Sequence, residues 1–225
     1  FIPSEGLTMV GADLSGIELR MLAHYLARYD GGRYADVLLN GDIHQTNADK
    51  IGITRKQVKT VTYAFLYGAG DEKIGHSFDA QLSSTAAKRK GKEIRSAYVE
   101  AVDGLGELLE AVKKAADKGF IRSIDGRKVD VDSPHKALNY LLQSGAGVIA
   151  KRWMVINQDK IKQLQLCCSQ LAFVHDELQF EVDPTHAQDL CSSLVLSSVE
   201  AGEYYNMRIR IDAEAVQGEN WSTTH

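Results

Sequence analysis

The stretch LAFVHDELQFEV, residues 171–182, constrains the fold of this chain more than any other. Two apolar β-type runs are joined by His175, Asp176 and Glu177, where a solvated hairpin turn would more often use Gly or Asn. The second arm alternates, with Leu178, Phe180 and Val182 set against Gln179, Glu181 and Asp183, which predicts a strand with one apolar face. At the other end of the chain, LTMVGAD (7–13) is a short apolar run that closes on Asp13, the pattern of a buried strand. RIRIDAEAV (208–216) predicts a last strand. The sheet is therefore expected from the two ends of the chain, mostly antiparallel, with everything between as an insertion. That is an α+β fold.

The insertion reads as helical. SGIELRMLAHYLARYD carries apolar residues at helical spacing and stops at DGGRY. NGDIHQTNADKIG is a turn leading into a short helix. TRKQVKTVTYAFLYGAG (54–70) is a helix with Thr54 as its N-cap and glycines at its end. Residues 84–119, rich in Lys, Ala, Glu and Leu, predict one or two solvated helices, and SIDGRKVDVDSP predicts a hairpin around its DG pair. HKALNYLLQSGAGVIAKRWMVINQDKI is a long helix, and AQDLCSSLVLSSVEAG another. With 225 residues and 44% hydrophobic content the chain can bury a sizeable core, as one large domain or two subdomains. Its formal net charge of -4 excludes a bulk-basic nucleic-acid binder, so any polyanion site must be a local patch. Three cysteines, two of them adjacent (Cys167, Cys168, Cys191), show no metal-type spacing and suit a reducing, cytoplasmic compartment. No run reaches membrane-span length, so no membrane partner is expected. The chain opens on Phe1 rather than Met, which suggests an excised piece of something longer.

Two groups of residues could carry chemistry. If the strands ending at Asp13 and Asp176 lie side by side, their carboxylates meet, and they repel unless cations sit between them. Mg²⁺ is normally held by one or two carboxylates plus substrate phosphates, and paired ions about 3.5–4 Å apart serve phosphoryl transfer. An aspartate at a strand end is more often only that; the HDE corner between apolar arms is the sharper signal. Arg55, Lys59 and Tyr63 fall at i, i+4 and i+8 of one helix, with Tyr67 extending the row and Val58, Val61, Ala64 and Phe65 behind. Two cations in line suit a polyphosphate, and an aromatic ring one turn on suits a base or sugar. The plain alternative is an amphipathic surface helix. His44 in GDIH and Glu18 after Asp13 are weak alone. Asn139 and Gln143 present two amides together or tie two helices, and the basic run KRKGKEIR (88–95) is more simply a solvated face than a nucleic-acid contact.

Three ordered stretches, DLSGIELR (13–20), RKQVKTVTYAFLYGAG (55–70) and VHDE (174–177), resemble motifs A, B and C of family A DNA polymerases. GDIH, DGRKV and LLQS fall between them in the expected order, and FLYGAGDEKIG with the NW…H ending is similar to the replicative polymerases of short-tailed, T-odd-type phages. The resemblance implies a right-hand fold: palm at residues 1–17 and 128–225, mostly helical fingers at 18–127, and no thumb or exonuclease domain within these residues. It implies template-directed transfer of dNTPs to a primer 3′-OH in DNA replication. Two Mg²⁺ ions, with Mn²⁺ as a substitute, are held by Asp13, Asp176 and the carbonyl of Leu14. Arg55, Lys59 and His44 bind the triphosphate, and Lys59 protonates the leaving pyrophosphate. Tyr63 stacks near the sugar, where a tyrosine implies ready dideoxynucleotide incorporation, and Glu18 crowds the 2′ position. Tyr67 and Gly68 border the templating base, Asn139 and Gln143 read the minor groove near the primer end, and His175 and Glu177 support the primer terminus. His225 lies close by. The implied partners are DNA primer-template, dNTPs, a thumb and exonuclease region in cis or on another chain, and a processivity factor such as thioredoxin. Two rivals remain: a non-catalytic or split-polymerase DNA-binding fragment that needs a thumb-bearing partner, and a single-subunit RNA polymerase, against which Glu18 and the HDE corner speak.

Overall fold

In the computed structural model, which describes residues 1–225, strand β1 (Thr8–Leu14) lies between β5 (Glu177–Val182) and β6 (Ala213–Gly218), antiparallel to both. β4 (Cys168–Val174) pairs with β5 and forms an edge, giving the order β4-β5-β1-β6. Register gives the sheet two unlike faces. Val10 opposite Phe180 and Ala12 opposite Leu178 form the apolar face, and all four are buried. Helix α9 (Ala187–Tyr204) packs on β1 and β6, with Leu190, Leu194 and Ala201 buried. The Trp153 indole, buried on helix α8 (Ala137–Leu164), donates to the Leu194 carbonyl at 2.8 Å. The opposite face carries Gly11 opposite Gln179 and Asp13 opposite Glu177.

The chain divides into two compact units, Phe1–Arg20 with Gly145–His225, and Met21–Ser144. The sheet belongs to the first. The division falls within α1 (Ile17–Asp30) and α8, so residues 128–144, expected with the sheet, group by compactness with the helices. The helical unit contains α2 (Arg33–Asn40), α3 (Ile43–Ile51), α4 (Arg55–Leu66), α5 (Asp71–Phe78), α6 (Ser84–Ala101), α7 (Leu105–Ala116) and a hairpin of β2 (Phe120–Arg122) and β3 (Lys128–Asp130). Thr54 caps α4 as predicted. Its hydroxyl accepts from the Gln57 N–H, and the Gln57 side chain accepts from the Thr54 N–H, a complete capping box. α2 and α5 were not foreseen. Each has eight residues, too short to hold alone, and each borrows stability from neighbours. Asp30, for example, accepts from the N–H groups of Gly32 and Tyr34 to start α2.

The last strand is shorter at its start than expected. Residues 208–212 alternate, and Ile209 and Ile211 are buried, but the ladder begins at Ala213. Their backbone is used elsewhere: the Arg20 guanidinium donates to the Arg210 carbonyl, and the Ser15 N–H donates to that of Asp212. No helix is long and apolar enough to cross a membrane, and all three cysteines are free thiols.

α5 and α6 pack at backbone contact. A Cβ at Gly91 would collide with the Asp71 carbonyl, and one at Gly75 with the Ala87 carbonyl. Arg95 then clamps the pair, donating to Asp71 Oδ1 at 2.6 Å and to the Ala69 carbonyl while covering the Phe65 ring. Gly91→Ala should therefore cost about 1–3 kcal/mol, read as a lowered urea midpoint; an unchanged midpoint would show that the helices can separate freely.

Candidate functional site

In the sheet unit, the β4–β5 connection is only His175 and Asp176, and His175 takes a left-handed φ of 56°. This tight corner stands beside the end of β1, where the Leu14 N–H donates to the Asp176 carbonyl at 3.1 Å. Asp13, one residue before Leu14, pairs with Glu177. Asp13, Glu18, Asp176 and Glu177 are thereby gathered. The Asp13 carboxyl is pushed up to about 6, first by loss of solvent and then by the charges of Asp176 and Glu177, with Glu18 adding and His225 opposing. Asp176 is raised as well, by burial first and then by Glu18. These are carboxylates short of positive charge. No group of three or more His, Cys, Asp or Glu side chains is arranged to hold a metal ion. The oxygen donors nevertheless fit a hard divalent cation that takes the rest of its shell from outside the protein.

Glu177 is the hub of this unit, and it is only 5% exposed. Its Oε1 accepts from the Gln179 amide at 2.5 Å and the Trp221 indole at 2.7 Å, and its Oε2 lies 3.1 Å from His225 Nδ1. Gln179 in turn accepts from the Thr224 hydroxyl at 2.9 Å. The C-terminal turn thus covers the face of β5 that alternation alone marks as solvated, and Gln179 is buried too. Glycine makes room for it: a Cβ at Gly11 would strike the Gln179 amide and the Thr224 carbonyl, and one at Gly218 the Thr223 hydroxyl. Gln179, Trp221 and Thr224 are residues that sequence reasoning missed. The signal available was a Gln at a strand's polar position together with an aromatic near the C-terminus.

In the helical unit, α4 shows Arg55 and Lys59 to solvent, with Tyr63 half-buried and Val58, Val61, Phe65 and Leu66 buried behind. The His44 ring lies 6.1 Å from that of Tyr63. Burial lowers the His44 pKa, and the charges of Arg55 and Lys59 lower it further against Asp42, so the ring is neutral at neutral pH. His44 is 8% exposed, and its Nδ1 is buried without a hydrogen-bond partner. Asp42, also missed, accepts from Arg55 Nε at 2.7 Å. Past the helix end, Tyr67 is 55% exposed and Gly68 has φ 71°. The two amides differ. Asn139 donates to the Leu66 carbonyl at 2.9 Å, a tie between α8 and the end of α4, whereas Gln143 Nε2 is buried with no partner. In the basic run, Arg95 belongs to the α5–α6 clamp and Lys88 pairs with Glu72. The structure thus brings together Asp13, Leu14, Glu18, His175, Asp176, Glu177 and His225 in one unit, and His44, Arg55, Lys59 and Tyr63 in the other.

Two predictions follow from the sheet unit. The folded pKa of Asp13 lies above its unfolded value, so the stability it contributes is full below about pH 4 and is lost as pH rises through about 6. In EDTA, Asp13→Asn should melt at a higher temperature than wild type at about pH 7.5 and at the same temperature near pH 4; a lower melting temperature at the higher pH would contradict the raised pKa. Trp221→Phe withdraws one donor from buried Glu177 and should cost about 1–3 kcal/mol by urea denaturation. No loss would mean that the C-terminal turn is not tied through the indole.

Comparison with known proteins completes the description. The family model for DNA polymerase family A matches residues 1–223. The chain is 35% identical, over 241 residues, to the DNA-directed DNA polymerases of Enterobacteria phage T3 and Escherichia phage T7, covering 96% of this chain and 33% of each of theirs. It is 29% identical to DNA polymerase I of Caldicellulosiruptor bescii, of which it covers 28%. The chain thus spans about a third of the length of its phage relatives. The fold matches the POL domain of Pol1 from M. smegmatis, solved in complex with DNA primer-template and dNTP, at a TM-score of 0.83 and 24% identity, over all of this chain and 42% of that one.

Proposed function

The chain belongs to DNA polymerase family A, and we propose that it carries the catalytic portion of a template-directed DNA polymerase that joins dNTPs to a primer 3′-OH. The observation that carries the reading is the pairing of β1 with the β4–β5 hairpin, which sets Asp13 beside Asp176 and Glu177 and raises two of their pKa values. We assign residues 1–17 and 128–225 as palm, which includes the four-stranded sheet, and residues 18–127 as fingers. Asp13 and Asp176, with the Leu14 carbonyl, hold two Mg²⁺ ions, for which Mn²⁺ substitutes. Bound there, the ions supply charge neutralisation at the phosphates and lower the pKa of the primer hydroxyl.

The remaining roles fall to side chains. Arg55 and Lys59 grip the triphosphate from the exposed face of α4, and Lys59 gives a proton to the departing pyrophosphate. His44, with its unpartnered Nδ1, joins them as a neutral hydrogen-bonding group. Tyr63 supports the sugar, and Glu18 crowds the 2′ position so that deoxynucleotides are favoured. Tyr67 and Gly68 border the templating base. Gln143, with a free donor, suits minor-groove contact better than Asn139, which already binds Leu66. His175 and Glu177 support the primer terminus, with His225, 3.1 Å from Glu177, close by. The template, primer and dNTPs are the partners, and the cytoplasm is the compartment.

Primer extension by the full-length protein, with Mg²⁺ and all four dNTPs, tests the reading. Asp176→Ala should lose several kcal/mol of transition-state stabilisation, on the order of a hundredfold or more in rate. Extension that is indifferent to Asp176 would refute the assignment.

A further inference from the structure

Asp42 uses its two oxygens for two different purposes. Oδ1 accepts from the backbone N–H groups of His44 at 3.1 Å and Gln45 at 3.0 Å, and so caps α3. Oδ2 accepts from Arg55 Nε at 2.7 Å. One carboxylate therefore ties the first turn of α3 to the first turn of α4. Arg55 is held through its side chain, and His44 through its backbone N–H at the start of α3.

The geometry at Arg55 matters because a guanidinium has five N–H donors in one plane. Asp42 takes Nε, at one edge, and the terminal nitrogens remain for a second anion. Arg55 and Asp42 are both about half exposed, so an unrestrained arginine here would sample many rotamers. Fixing it beforehand lowers the ordering cost of binding. The same carboxylate is held below the usual range, first by the Arg55 hydrogen bond and then by the Gln45 N–H, so it is charged at neutral pH. A negative charge beside a triphosphate weakens binding by itself. Its presence here makes sense if what it organises is worth more than what it repels.

We propose that Asp42 is a positioning residue of the nucleotide site, holding the Arg55 guanidinium against the first turn of α3, which carries His44, so that Arg55 meets the triphosphate of the incoming dNTP. The inference rests on the reading of Arg55 and His44 as triphosphate ligands given above.

A double-mutant cycle tests it, with steady-state primer extension by the full-length protein at saturating primer-template and one dNTP varied. The proteins are wild type, Asp42→Asn, Arg55→Ala and the double variant. Asn caps a helix about as well as Asp, so Asp42→Asn keeps α3 capped and removes only the charge on Arg55. The single change should raise the dNTP KM about fivefold with kcat within about twofold, since exposed ion pairs are modest. In the Arg55→Ala background it should add nothing, a non-additivity that a general structural role would not produce. An unchanged KM, a lowered KM (Asp42 then being a competitor of the triphosphate), or a full effect without Arg55 would each overturn the proposal. If Arg55→Ala raises the KM but Asp42→Asn does not, only the positioning role falls. If Arg55→Ala leaves the KM unchanged, the triphosphate reading of Arg55 falls, and this proposal falls with it.

Discussion

Carboxylates gathered out of solvent at one corner of the sheet set the character of the sheet unit. β1 ends beside the β4–β5 corner, and this register brings Asp13 against Asp176 and Glu177, with Glu18 on the first turn of α1. Held apart from solvent, Asp13 and Asp176 resist ionisation, and Asp13 is pushed up to about 6. Such an arrangement costs stability in the empty fold and is relieved by a bound cation. It is common at sites whose chemistry needs the cation more than the fold needs the last kcal/mol.

The structure spends buried hydrogen bonds to keep one of those carboxylates still. Glu177 has both oxygens engaged, by Gln179, Trp221 and His225, and the C-terminal turn that supplies two of these seats against Gly11 and Gly218. Asp42 does the same in the helical unit with an opposite partner, restraining a cation rather than an anion. In both units a charged side chain is fixed by hydrogen bonds from, or to, its neighbours.

How much of this was legible in the sequence follows the range of the interactions involved. α4 was readable because its signals are local: Thr54 and Gln57 form the capping box, and Val58, Val61 and Phe65 mark the buried side. The sheet of two chain ends was readable because each strand carries its own pattern. The buried state of Gln179 was not readable, because what covers it is Thr224, 45 residues away. Asp42 could be recognised as an N-cap, but its bond to Arg55 crosses 13 residues and appears only once α3 and α4 are packed. α2 and α5 escaped because eight residues carry too little periodicity. Asn139 and Gln143 have the spacing of a pair, yet packing gives one a partner and leaves the other's Nε2 without one, which spacing cannot distinguish.

The most direct test is the titration of the Asp13 side-chain carbon by NMR, in EDTA and again in excess Mg²⁺. The structure predicts a midpoint of about 6 without metal, falling when Mg²⁺ is present. A midpoint near an ordinary aspartate value of about 4 in both conditions would mean that Asp13 is neither desolvated nor crowded by other carboxylates, and would contradict the proposed cation site.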